Sequence, residues 1–236
     1  MGNVTFLGVE GSGKTVLTMA LVNYFRVHEA EGWFLRPETR TAFRFLAQMP
    51  PVLDFDNQPH QTTKLKRLTW TMLYRERTIR SLSMLDYPGE VYRLAFLDAE
   101  DEEDPDHFQA RVEANREDIE GLLEHLVRSD QVFVLFNSED CTALAENKQN
   151  QDAVWVTNAC LAYLHKLPVR PKITFLFTQI DRYIDLARAD FNAQAYLREH
   201  LPLIARNFPM LDVGAVSARE SENPTFGLGA LLKRFL

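Results

Sequence analysis

The chain has 236 residues, 46% of them hydrophobic, and a formal net charge of -7. That length permits one enlarged α/β core or two small domains, and the apolar content suffices for one sizeable core. The acidic balance opposes non-specific binding to nucleic acid or to an anionic membrane surface, because the long-range field repels both. Two cysteines, Cys141 and Cys160, lack metal-ligand spacing and read as free thiols, in a loop and a helix, of a reducing cytoplasm. The histidines are scattered, which argues against a metal cage built from protein side chains. No apolar run approaches bilayer length and no secretory or lipidation signal is legible. The expectation is therefore a cytoplasmic protein without membrane insertion.

Residues 3–7 read as a short buried strand and residues 16–22 as the first turns of a helix. Between them stands Gly8-Val9-Glu10-Gly11-Ser12-Gly13-Lys14-Thr15, which spells G-x-x-x-x-G-K-[ST]. By average residue usage the pattern arises by chance in roughly one chain in a hundred of this length. Its flanking strand and helix are the context in which such a loop cradles phosphate. Glycines let the backbone wrap an anion, and successive amides with a helix N-terminus supply positive potential. Lys14 is placed to reach terminal phosphates and the Thr15 hydroxyl to ligate magnesium.

Residues 31–61 look irregular, rich in proline and aromatics, with one short helix over 39–49. Strand-like runs at 68–74 and 78–85 are separated by Arg75-Glu76-Arg77, a hairpin-length break. A helical region over 91–128 is interrupted by the acidic run 100–106, read as a solvated loop. An apolar strand over 131–137, a helix over 152–167, a strand over 172–177, a helix over 193–207, a strand over 212–216 and a terminal helix from about 228 follow. Buried strands alternating with helices predict an α/β fold, a mainly parallel sheet covered on both faces, with one antiparallel hairpin strand.

In such a sheet ligands gather at the carboxyl ends of strands. The hairpin's second strand ends in Asp86-Tyr87-Pro88-Gly89-Glu90. There Asp86 can hold magnesium, and Gly89 lets a backbone amide approach a γ-phosphate. Residues 172–177 lead into Thr178-Gln179-Ile180-Asp181. The Asp181 carboxylate can accept two hydrogen bonds from guanine, whereas adenine leaves it unsatisfied at a cost of about 1–3 kcal/mol. The last strand ends in Ser217-Ala218-Arg219, where a backbone amide can meet the guanine carbonyl.

At these residues the chain resembles the Ras-like GTPases of the translation-factor-related P-loop class. Their signatures are the phosphate loop, a switch-I threonine, D-x-x-G, [NT]-K-x-D and S-A-[KL], in this order. The likeness runs from Gly8 to Arg219. It implies a three-layer P-loop NTPase fold over one domain, 1–236, with an insertion before switch I (about 31–61) and an acidic insertion (about 99–107). It also implies a magnesium-dependent switch that binds and slowly hydrolyses GTP and regulates partner proteins. Lys14, Glu90 and Thr63 then carry catalysis. Glu10, Gly11, Ser12, Gly13, Lys14, Thr15, Gly89, Thr178, Gln179, Asp181, Ser217, Ala218 and Arg219 bind GTP or GDP. Thr15, Asp86 and either Thr62 or Thr63 hold the metal; these two lie 24 and 23 positions before Asp86. The layout of 41–63, followed by D-Y-P-G-E, also resembles the bacterial double-GTPase families, which implies protein partners with another GTPase among them.

Some residues depart from the pattern. Gln179 stands where a lysine is usual and Thr178 where asparagine is commoner, so guanine choice rests on less than triphosphate binding does. Glu90 replaces a water-orienting glutamine, and its charge faces the γ-phosphate unless metal or an arginine offsets it. Glu10 raises the same question. Arg36 and Arg40 are candidate internal arginine fingers, with nothing in the sequence to select one. Lys64, Lys66, Arg67, Arg75, Arg77 and Arg80 make the hairpin basic, either as a partner-binding face or as an edge strand protected by charge. Trp33, Trp70 and Trp155 read as core or interface. Two other readings stand beside the switch: an interaction module that holds nucleotide with negligible hydrolysis, and an ATP-dependent phosphotransferase.

Overall fold

Strand β5 (Gln131–Asn137) is buried at every position, and alternate residues feed two different cores. Val132, Val134 and Phe136 face one core while Phe133 and Leu135 face the other, so this strand lies mid-sheet with a layer on each side. The computed structural model describes residues 2–27, 32–48, 66–97, 104–138, 141, 148–180, 191–217, 227, 228 and 231. The strands are β1 (Gly2–Leu7), β2 (Trp33–Pro37), β3 (Lys66–Tyr74), β4 (Arg77–Asp86), β5, β6 (Lys172–Thr178) and β7 (Asp212–Ala215). They form one sheet in the order β2-β3-β4-β1-β5-β6-β7. Only β3 runs against the others, pairing antiparallel with both β2 and β4. The expected mainly parallel sheet with one antiparallel hairpin strand is what forms.

One face is covered by α1 (Lys14–Val27) and α2 (Arg40–Ala47). From α1 come Leu17, Leu21 and Phe25; from α2, Ala42 and Phe45 pack toward Trp70, whose indole is fully buried. Thr39 caps α2 by accepting from the Ala42 amide at 3.2 Å. The opposite face carries α3 (Gly89–Phe96), α4 (Pro105–Ala114), α5 (Arg116–Val127), α6 (Lys148–Lys166), α7 (Ala193–His200) and α8 (Pro202–Asn207). Helix α5 docks through Ile119, Leu122 and Leu126, a spacing that places them on one stripe. Among the described residues no helix is long and apolar enough to cross a membrane.

The structure corrects several local expectations. Residues 33–37, inside the stretch expected to be irregular, form β2, which lies outside β3. Among the described residues the basic hairpin is therefore not the sheet's edge; β2 is, with Pro37 at its end where a missing amide donor costs little. The hairpin turn is the two-residue Arg75-Glu76, both at positive φ (46° and 64°), which matches the strand twist without a glycine. The end of the acidic run is not loop: Asp104 caps α4, accepting from the His107 amide at 3.0 Å, and Pro105 occupies the first turn. The single helix expected over 193–207 is two, because Pro202 has no amide for a continuous ladder and disfavours helix at Leu201. Cys141 adopts helical conformation rather than loop and is buried, as is Cys160. Burial pushes the Cys160 thiol up to about 12, which keeps it protonated and inert at neutral pH. Trp155 is 57% exposed on α6, unlike Trp70.

His125 on α5 is buried, and its Nε2 has no hydrogen-bond partner among the described residues. Desolvation, then the charge of Arg67, lowers its pKa to about 4, against a smaller opposing effect of the Val4 backbone. The folded ring stays neutral where the unfolded chain takes up a proton, so stability present above about pH 6.5 is lost as pH falls toward 4. A loss on the order of 2–3 kcal/mol is expected across that window. Urea unfolding at pH 7 and pH 5 should show a smaller pH-dependent drop in His125→Gln than in wild type. Equal drops would contradict this account.

Candidate functional site

The turn between β1 and α1 is bordered by two other strand ends, and each contributes named contacts. Gly11 and Gly13 sit at φ +75° and +80°, conformations that side-chain-bearing residues rarely adopt, and they let the chain double back toward α1. The loop closes through Ser12 N to Val9 O at 3.3 Å and enters α1 through Leu17 N to Gly13 O at 2.8 Å. The first turn of α1 contains no acidic residue, so the positive potential at its N-terminus is not cancelled locally. Thr15 lies half-buried in that turn, and Glu10 is exposed.

Lys14 is buried to 8% exposure. Its ammonium donates to Gly8 O at 2.8 Å, Val9 O at 3.0 Å and, more weakly, Ser12 Oγ at 3.4 Å. It also lies 5.2 Å from the centre of the Tyr87 ring. A buried ammonium needs such partners, and carbonyl oxygens of its own loop supply them.

The end of β4 meets the loop from one side. Tyr87, fully buried, accepts a hydrogen bond from Gly8 N at its hydroxyl, 3.0 Å away. Gly89 opens α3 directly against the loop backbone. A Cβ there would overlap the Glu10 backbone and come within 2.8 Å of the Val9 carbonyl carbon, so only glycine allows this approach. Asp86 is the last residue of β4, paired in register with Lys66. Glu90, in the first turn of α3, forms an ion pair with Arg111 from the last turn of α4. That arginine was not among the sequence-predicted residues, and Arg36 lies elsewhere. Arg36, on β2, pairs with Glu38 just past that strand at 2.9 Å, three strands from β1 and about 14 Å across the sheet.

The end of β6 meets the loop from the other side. Buried Thr178 donates its hydroxyl to Ser12 O at 3.0 Å, with Phe136 O at 3.3 Å. Gln179 holds positive φ (55°) and donates Nε2 to Gly11 O at 3.1 Å. Ser138 fixes the same corner by donating to Thr178 O at 2.8 Å. Ser217, just past β7, is fully buried, and Val216 N bonds Phe177 O at 2.8 Å. Thus Gly11, Ser12, Gly13, Lys14, Gly89, Thr178 and Gln179 are brought together. Thr62, Thr63, Asp181, Ala218 and Arg219 lie outside the described residues.

Tyr87 and Arg111 escaped sequence reasoning. A weak signal for Tyr87 was a tyrosine immediately past a strand's carboxyl end; none pointed to Arg111, whose partner lies 21 residues away on another helix.

No protein-family model matches the sequence, and no curated protein matches it. Among solved structures the chain is similar to the mammalian SRP receptor at 13% identity, over 99% of this chain and 100% of that one, with TM-score 0.50. It is also similar to the G domain of the T. maritima FeoB iron transporter at 16% identity, over 99% and 96%, with TM-score 0.46. A third likeness, at 12% identity and TM-score 0.45, is to translation elongation factor SelB from Methanococcus maripaludis in complex with the GTP analogue GppNHp. It covers all of this chain and 34% of that one. At such identities likeness bears on fold alone. The fold is that of a G-domain P-loop NTPase.

The close approach at Gly89 generates a measurable expectation. Gly89→Ala should push α3 off the loop and lower unfolding free energy by about 1–3 kcal/mol, read from urea denaturation. A variant as stable as wild type would show that the approach is not tight.

Proposed function

We propose that this chain is a Ras-like, magnesium-dependent GTPase acting as a switch. The observation that carries the reading is the seating of two separate strand ends, at Tyr87–Gly89 and Thr178–Gln179, on a Gly8–Thr15 loop that opens a helix. Amides of the loop and the N-terminus of α1 offer donors to β- and γ-phosphate oxygens. Lys14 exchanges its bonds with the Gly8 and Val9 carbonyls for the more strongly charged phosphate oxygens. Gly89, without a side chain, presents its amide to the γ-phosphate.

Glu90 orients the water that attacks the γ-phosphorus in line, as the bond to the β–γ bridging oxygen breaks and GDP and phosphate form. On this reading the hydroxyls of Thr15 and of Thr62 or Thr63, with the Asp86 carboxylate, form an all-oxygen donor set that suits magnesium. Bound there, the ion neutralises charge on the β- and γ-phosphates. Thr178, Gln179, Asp181, Ser217, Ala218 and Arg219 frame the base, with Asp181 selecting guanine. The whole chain is one domain, with β2 and α2 in its insertion before switch I. Binding of GTP orders the segments around Thr62–Thr63 and Gly89–Glu90, and these face protein partners, another GTPase among the candidates, as in the bacterial double-GTPase families.

A second reading has its own support. Gln179 is engaged with the loop rather than presenting a lysine stem to a base, and Glu90 is engaged with Arg111. Both suit an interaction module that holds nucleotide and hydrolyses it negligibly.

Equilibrium affinities for GTP, GDP, ATP and ADP, with and without magnesium, separate these readings together with single-turnover hydrolysis. The switch reading expects guanine preference, magnesium-dependent GTP affinity, and turnover on the order of 10⁻⁴ to 10⁻² per second without a partner. Lys14→Ala should weaken GTP binding roughly 10- to 100-fold. ATP hydrolysed faster than GTP at equal concentration would overturn the guanine assignment. Tight GTP binding with no hydrolysis would favour the module.

A further inference from the structure

Glu90 presents an electrostatic difficulty that the structure answers. Its neighbour Gly89 rests on the backbone of Val9 and Glu10, so Glu90 stands one residue from the contact with the loop read above as the phosphate site. An unbalanced carboxylate there would oppose a γ-phosphate. The balancing charge comes from α4, the helix that follows the acidic run: Arg111 donates a guanidinium hydrogen to Glu90 Oε1.

The arm that carries Arg111 is fixed at both ends. Asp104 caps its start, Phe108 is buried in the core beneath it, and Asn115 donates both its amide and its side chain to the Arg111 carbonyl, at 3.1 and 2.9 Å. The side chains of Arg111 and Glu90 are 30% and 38% exposed, between a solvated surface pair and a buried one.

We propose that Arg111 is a positioning residue for Glu90. Its guanidinium neutralises the carboxylate so that a triphosphate is tolerated beside it, and fixes the carboxylate plane for orienting water. Helix α4 thereby sets the preference for triphosphate over diphosphate as well as the rate of hydrolysis. The proposal rests on reading this site as a nucleotide-hydrolysing one.

The test uses the full chain and compares wild type, Arg111→Ala, Arg111→Lys, Glu90→Gln and the Arg111→Ala/Glu90→Gln pair. The readouts are GTP and GDP affinities with magnesium, single-turnover hydrolysis and the thermal unfolding midpoint. Arg111→Ala should weaken GTP about 10-fold more than GDP and slow hydrolysis. Adding Glu90→Gln should restore GTP affinity, because the repelling charge is gone. Arg111→Lys keeps the charge and loses the planar fork, so it should keep GTP affinity while hydrolysis falls. If Arg111→Ala fails to fold, that split in Arg111→Lys decides the matter.

Equal weakening of GTP and GDP, or no rescue by the second change, would overturn the proposal and leave Arg111 a packing residue. Parallel measurements with ATP and ADP report the same ratio if the site takes adenine, so a wrong base assignment is told apart from a wrong role for Arg111. A wild-type chain that binds none of the four nucleotides would overturn the proposal together with the reading beneath it.

Discussion

The Gly8–Thr15 loop is held from two sides by groups at the ends of other strands. On one side the Gly8 amide donates to the Tyr87 hydroxyl; on the other the Ser12 and Gly11 carbonyls accept from Thr178 and Gln179. These bonds occupy two carbonyls and one amide, and they spare the succession of amides leading into α1. Loop backbone hydrogen-bonded to two flanking strand ends in this way needs little reorganisation to meet an anion, which is the condition for donors to act as a preformed cradle. The parallel packing of β4, β1, β5 and β6 makes this possible by ending the strands at one edge of the sheet.

The same packing divides what is rigid from what can respond. Thr178 is buried within the fixed part. Helix α3 is attached differently: its apolar side, Val91, Tyr92 and Leu94, is in the core, while its polar side is tied by two ion pairs, Glu90 to Arg111 and Arg93 to Asp152. Partly exposed pairs of this kind each contribute about 1 kcal/mol or less. The Arg93–Asp152 tie can therefore be exchanged at little cost without dismantling the apolar anchor. An element that is firmly docked yet cheaply re-tied is what a two-state response requires.

Much of this was legible in the sequence, for identifiable reasons. The loop motif and D-Y-P-G-E are contiguous words at strand ends, and continuous apolar runs identified β1, β5 and β6 because a strand buried on both faces needs little else. What was hidden depends on distant partners. Tyr87 reaches Gly8 across 79 positions and Thr178 reaches Ser12 across 166, separations that no local period encodes. Strand β2 was missed because five residues ending in proline resemble a loop until β3 is seen to pair with them. Asp104 looked like one acid in a charged run, yet its position before Pro105 makes it a helix cap. The break at Leu201 was readable from Pro202, whose effect on a helix is strictly local.

Amide hydrogen exchange with and without magnesium and guanine nucleotide tests most directly whether these strand ends form one pocket. The account predicts joint protection of the Gly8–Thr15 loop and the segments following β6 and β7 on adding GDP. It predicts further protection around Gly89 and Glu90 only with a non-hydrolysable GTP analogue. Protection confined to the loop, or appearing on the opposite end of the sheet, would contradict it.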